Sequence, residues 1–123
     1  ELWVKTDCEN TAFFASIDEM TAENKSYHIR TSAATIRHEM PRDTAYIPET
    51  PIKAVIDMSD ICYALPAGSR IRIDVTSSDF PQYHIHSNQP GGWAYAEKNK
   101  IARQTILTGE AFPSCVKIPC MRS

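Results

Sequence analysis

Apolar and polar residues alternate most cleanly between Arg70 and Thr76. Ile71, Ile73 and Val75 point to one side while Arg70, Arg72, Asp74 and Thr76 point to the other, the period-2 signature of a strand with one buried face. The same alternation runs through Phe13, Ala15 and Ile17, and again through Ile52, Ala54, Ile56 and Met58. The pattern predicts strands over residues 1–5, 13–18, 27–31, 34–38, 52–58, 69–76, 101–107 and 114–118. Residues 21–26 read as a polar hairpin turn, 40–51 as a proline-rich excursion, and 93–100 as a short helix. Pro66 and Gly68 mark a turn into the 69–76 strand, since proline pre-sets φ and glycine tolerates positive φ. At the exit, Thr76, Ser77 and Ser78 carry hydroxyls suited to bonding local backbone, Asp79 favours a turn, and Pro81 stops a central ladder.

Seven or eight short strands, with eight prolines against four glycines between them, predict an all-β, two-sheet sandwich rather than a helical fold. At 123 residues the chain is long enough for one domain with a real core. A net charge of −2 gives no electrostatic footprint for nucleic acid or an anionic membrane, and no apolar run is long enough to span a bilayer. Four cysteines, Cys8, Cys62, Cys115 and Cys120, form no C-x-x-C pair. They predict free, mostly buried thiols and favour a cytoplasmic, reducing setting, with one disulfide left open. The chain opens on Glu1 within the apolar run Leu2, Trp3, Val4, which reads as a fragment of a longer polypeptide.

Candidate chemistry is sparse. No serine has glycines two before and two after it, so the G-x-S-x-G elbow of a serine hydrolase is missing and no catalytic residue is assigned. His84 and His86 would share a strand face and suit a metal, but no acidic residue follows at the spacing a cupin needs. They read as exposed loop histidines, and neither metal nor cofactor is expected. Trp93 and Tyr95 after Gly91-Gly92 suggest a stacking platform for a sugar, without evident polar groups to orient one. Arg70 and Arg72 read as a solvated face with cross-strand ion pairs to residues such as Asp74, or as a contact for another domain.

The run of residues 66–83 resembles the segment G-x-R-I/L-R-I/L-D-I/V-S-S-S-N/D-F-P of X-prolyl dipeptidyl-peptidase and cocaine-esterase-like α/β-hydrolases. The resemblance is colinear. Thr6, Asp7, Asn10, Thr11 and Phe13 sit where that family has T-D-A-P-D-T-D-F, with Ala12 in place of its aspartate. Residues 52–63 resemble the strand and loop before the G-x-R run. Asn88 and Gly91 match an N-x-G element, and Phe112, Pro113, Ser114, Val116, Ile118 and Pro119 match the terminal H-P-S strand.

This resemblance implies a jelly-roll β-sandwich of the galactose-binding type, residues 1–123 being one C-terminal domain that lacks its first one or two strands. An unpaired sheet edge would follow. The implied function is that of a non-catalytic accessory domain. It packs on an α/β-hydrolase domain of the same polypeptide, helps shape the substrate pocket, and supports a homo-oligomer. The parent would be a serine hydrolase of dipeptidyl-peptidase, esterase or acylase type. The loops at residues 6–13 and 77–83 are the expected approach to substrate, with Thr11, Phe13, Ser78, Asp79 and Phe80 on the pocket rim. A stand-alone carbohydrate- or ligand-binding sandwich is the alternative.

Overall fold

In the computed structural model, which describes residues 1–91 and 98–120, the period-2 segments pair into two antiparallel three-stranded sheets. The strands are β1 (Leu2–Thr6), β2 (Ala12–Met20), β3 (Ser26–Thr35), β4 (Ile52–Ala54), β5 (Arg70–Thr76) and β6 (Gln104–Leu107). One sheet runs β4-β1-β6 and the other β3-β2-β5. Together they make an all-β sandwich.

Cross-strand partners share a face, so the registers identify the inward side chains. Phe13 faces Ala34, Ala15 faces Val75 and Ile17 faces Ile73, while Val4 lies between Ile52 and Ile106. The buried core gathers Val4, Phe13, Ala34, Ile36, Tyr46 and Ala54, with Leu2, Met40, Ile52 and Ile56 packed around it. That core sits at one end of the sandwich. β2, β3 and β5 are nine, ten and seven residues long, whereas β1, β4 and β6 are five, three and four. The short sheet therefore leaves part of the long sheet's inner face uncovered.

Four expectations from the sequence change. The two strands expected over 27–31 and 34–38 are one continuous β3, because the β2 ladder runs straight through Ser32 and Ala33, which pair with Ala15 and Phe14. The strand then stops at Thr35, whose side chain accepts from the His38 amide at 3.3 Å and caps the four-residue helical turn α1 (Ile36–Glu39). Residues 52–58 keep their in–out alternation to Met58, but only Ile52–Ala54 lies in a ladder. The expected strand at 101–107 pairs only from Gln104 onward.

The expected strand at 114–118 reduces to one backbone pair. Glu1 and Cys115 exchange bonds of 2.9 and 3.0 Å, and Ser114 Oγ accepts from the Trp3 amide while donating to the Leu107 carbonyl. A side chain here fills a gap in the ladder. Trp3 also packs edge-on against Phe112, with ring centroids 5.6 Å apart. The helix expected over 93–100, and Trp93 and Tyr95 with it, fall on residues 92–97, which lie outside the described residues, while 98–100 carry no helix.

Both turns flanking the long sheet form as read. Thr21 and Lys25 close the hairpin with a 2.9 Å bond, and Asn24 takes φ +61° at its tip. The Ser69 amide donates to the Pro66 carbonyl at 3.0 Å across Gly68, whose φ of +87° is the conformation glycine was expected to supply. The proline-rich excursion is anchored. The Glu49 amide donates to the Thr6 carbonyl, and the buried Tyr46 hydroxyl receives the Thr6 amide and donates to the Thr50 carbonyl. The cysteines are all free, but the expectation of burial holds for Cys8 alone; Cys62, Cys115 and Cys120 are exposed, on loops and on the C-terminal segment.

Candidate functional site

The two loops expected to approach substrate converge at the core end of the sandwich. β2 begins there, β5 ends there, and β6 begins there in the opposite sheet. The mouth between β5 and β6 holds a cleft of about 390 Å³ lined by Phe13, Val75, Thr76, Ser77, Gln104 and Ile106. Its floor is apolar and its rim is polar.

A buried polar cluster holds the first loop. Gln104 Nε2 donates to Thr11 Oγ1 at 2.7 Å and to the Ala12 carbonyl at 2.8 Å, and Thr11 Oγ1 donates to Asn88 Oδ1 at 2.7 Å. Asn10 Oδ1 receives the Arg37 amide at 3.0 Å, while its amide nitrogen lies 3.4 Å from His86 Nε2. The Asn88 amide donates to His86 Nδ1 at 3.0 Å. These contacts tie the loop before β2, the loop at residues 86–88 and α1 to β6 and the start of β2, as close-packed connections away from water must be. His86 is 4% exposed, which corrects its reading as an exposed loop histidine; His84 is exposed as expected. Burial pushes the His86 pKa below its ordinary value. Among the described residues no group of three or more His, Cys, Asp or Glu side chains is placed to hold a metal.

The bend after β5 is built differently. Thr76 Oγ1 donates to the Ser78 carbonyl at 2.9 Å, so Thr76 provides the hydroxyl-to-backbone bond that the sequence suggested for this exit. The Tyr83 amide donates to the Asp79 carbonyl, the Phe80–Pro81 peptide is cis, and Tyr83 packs edge-on over Phe14 at 5.2 Å. Asp79 is half-buried, and its Oδ2 is shielded from solvent with no hydrogen-bond partner among the described residues. Phe80 is 68% exposed and Ser78 is exposed. Of the five residues expected on a rim, Ser78, Asp79 and Phe80 thus stand at the surface bend. Thr11 and Phe13 are buried beneath it, the first as a hydrogen-bond hub and the second as core. Gln104, which joins them to the cleft, carried no sequence signal.

Elsewhere, the outer face of the long sheet holds an ionic cluster. Asp18 is buried, with Arg72 Nη2 at 2.8 Å and His28 Nδ1 at 3.0 Å; Arg72 Nε also reaches Asp74 at 2.9 Å. His28 Nε2 lies 3.3 Å from Thr31 Oγ1. The order carboxylate, imidazole, hydroxyl is that of a nucleophilic relay, but the Thr31 hydroxyl belongs to a buried residue and Arg72 neutralises the carboxylate. The cluster is a cross-strand tie. Burial would raise the Asp18 pKa, yet the bonds from Arg72 and His28 outweigh it and hold the carboxyl below its ordinary value. Cys8 is equally unreactive, because burial pushes its thiol pKa up.

Two antiparallel sheets whose buried polar groups anchor loops make this an all-β sandwich domain. A family model described as the X-Pro dipeptidyl-peptidase C-terminal non-catalytic domain matches residues 1–117, and the chain belongs to that family. No curated protein shows significant similarity to it.

Proposed function

We propose that residues 1–123 form a single C-terminal jelly-roll domain that packs on the α/β-hydrolase domain of a serine hydrolase, the bend Ser78–Asp79–Phe80 helping to wall its substrate pocket. The parent activity in this reading is cleavage of a peptide, ester or amide bond by machinery outside this chain. The observation that carries the rim role is Phe80, a large apolar ring held out at 68% exposure by a bend that is itself pinned by Tyr83 on Phe14. A rigid bend presenting a bare ring beside a half-buried carboxylate supports contact with another molecule.

The test is Phe80→Ala in the intact polypeptide. The expected result is a several-fold rise in KM with an unchanged unfolding midpoint, because Phe80 contributes nothing to the core. Unaltered kinetics would remove the bend from the pocket.

A further inference from the structure

The face along β5 is the least finished part of this sandwich. The short sheet does not cover it, so the inward residues of β5 reach solvent: Ile71 is 41% exposed, and Ile73 and Val75 are half-buried. Ile71 lies in register with Glu19, which in turn faces Tyr27. Tyr27, Tyr63 and Leu65 are exposed, and the hydroxyl of Tyr63 is bonded to the Glu19 carboxylate. At the other end of β5 stands Ile106, across the cleft and 43% exposed. Ile71 and Ser77 are six steps apart along β5 and its exit, about 20 Å at the usual rise. One partner surface laid along β5 would cover both ends.

The chemistry of that partner follows from Glu19. This residue is only 5% exposed, and its carboxylate accepts from Ser69 Oγ at 2.6 Å and from Tyr63. Those bonds hold its pKa below the ordinary value against the opposing effect of burial, so it is ionised near neutral pH. Among the described residues no cation forms a salt bridge to it. A shielded negative charge ringed by two tyrosines and an isoleucine is the setting in which a lysine or arginine gains most from an ionic contact and from the aromatic faces. Arginine-type anchors within apolar rings dominate many interfaces for this reason.

We infer that the β5 face, from Ile71 and Tyr63 around Glu19 to Ile106 across the cleft, is the seat of the catalytic domain, and that this domain supplies a lysine or arginine directed at Glu19. The inference rests on the accessory-domain reading above. It adds the face, its orientation along β5 and the charge that must meet it. Val55 beside β4 and Ile47 in the proline-rich excursion, both also exposed, lie off this face and stay in solvent.

Hydroxyl-radical footprinting of the intact polypeptide tests it. Tyr27, Tyr63, Ile71 and Ile106 should label several-fold more slowly than their exposure in the domain implies, with Ile47 and Val55 labelling freely. Uniform labelling at all six would show no docking and overturn the accessory reading together with this face. Protection confined to Ile47 and Val55 would leave the accessory reading standing and overturn the face. Protection of the β5 residues that vanishes on dilution would assign the face to a second copy of the chain and overturn the catalytic domain as its occupant. Two variants separate the contributions. Ile71→Asp, at an exposed position, should restore labelling of Tyr63 and Tyr27. Glu19→Gln, which keeps one acceptor oxygen and requires the other hydroxyl to turn and accept from the amide, should restore it in part, and an unchanged footprint in Glu19→Gln would overturn the cationic anchor.

Discussion

Gln104 clasps the two sheets: from β6 its amide nitrogen reaches Thr11 Oγ1 at 2.7 Å and the Ala12 carbonyl at 2.8 Å, at the start of β2 in the opposite sheet. Thr11 is fully buried, so these bonds form where water does not compete for them. Gln104→Ala removes both and strands the two acceptors. A loss of about 1–2 kcal/mol is expected on the usual scale for buried neutral bonds. Urea unfolding followed by tryptophan fluorescence measures it, and an unchanged midpoint would show that the clasp contributes nothing.

Phe13 lines the cleft while Phe80 stands out on the bend after β5, and the two should behave oppositely. Phe13 is 1% exposed in the core, so Phe13→Ala should cost about 3–5 kcal/mol. Phe80→Ala should stay within about 0.5 kcal/mol of the parent, as surface truncations do. Thermal unfolding of the two variants side by side is sufficient. Equal destabilisation would mean that the bend is part of the core.

Asp18 contributes to the acid limb of the stability curve. Its folded pKa lies below the unfolded value, because Arg72 and His28 outweigh burial. The unfolded chain therefore binds the proton first as the pH falls. The stabilisation is present above about pH 4, the unfolded carboxyl range, and is lost as the pH drops through the folded pKa. Asp18→Asn should cost about 1–2 kcal/mol at neutral pH, a figure reduced because its partners are half in solvent, and should flatten the curve below about pH 4. Urea midpoints across the acid range would show it, and a parallel curve in the variant would rule Asp18 out as the cause.

His86 acts in a separate window. Burial lowers its folded pKa, so between that value and about 6.5 the unfolded chain carries a proton the folded chain lacks. Stability is therefore full above about pH 6.5 and declines as the pH falls below it. His86→Gln keeps a polar side chain in the loop cluster and should abolish this slope. NMR titration of the imidazole, or urea midpoints at two pH values on either side of the window, would decide the matter. A histidine that titrates at its ordinary value would refute it.

The parts of the fold legible in the sequence are those decided by neighbours along the chain. The inward set Phe13, Ala15, Ile17 and the alternation of β5 followed from the period of two, and Gly68 was picked out because the turn it closes needs positive φ. Strand length was not legible. Ser32 and Ala33 have no strand preference of their own, and they are extended because β2 pairs with them. The bend Ser78–Phe80 could be located from its hydroxyls and prolines. That Thr11 lies beneath it rather than beside it depends on Asn88 and Gln104, residues 77 and 93 positions away.

By itself the sequence determined the class of fold, the turns, the family and the lack of a hydrolase elbow, since each is written in local pattern or in a colinear motif. Only the tertiary structure decided which polar side chains lie out of solvent. Asp18, Glu19 and His86 meet Arg72, Ser69 and Asn10, which stand 54, 50 and 76 positions away along the chain. Burial and charge pairing are properties of the assembled sheets, and no window of neighbouring residues carries them.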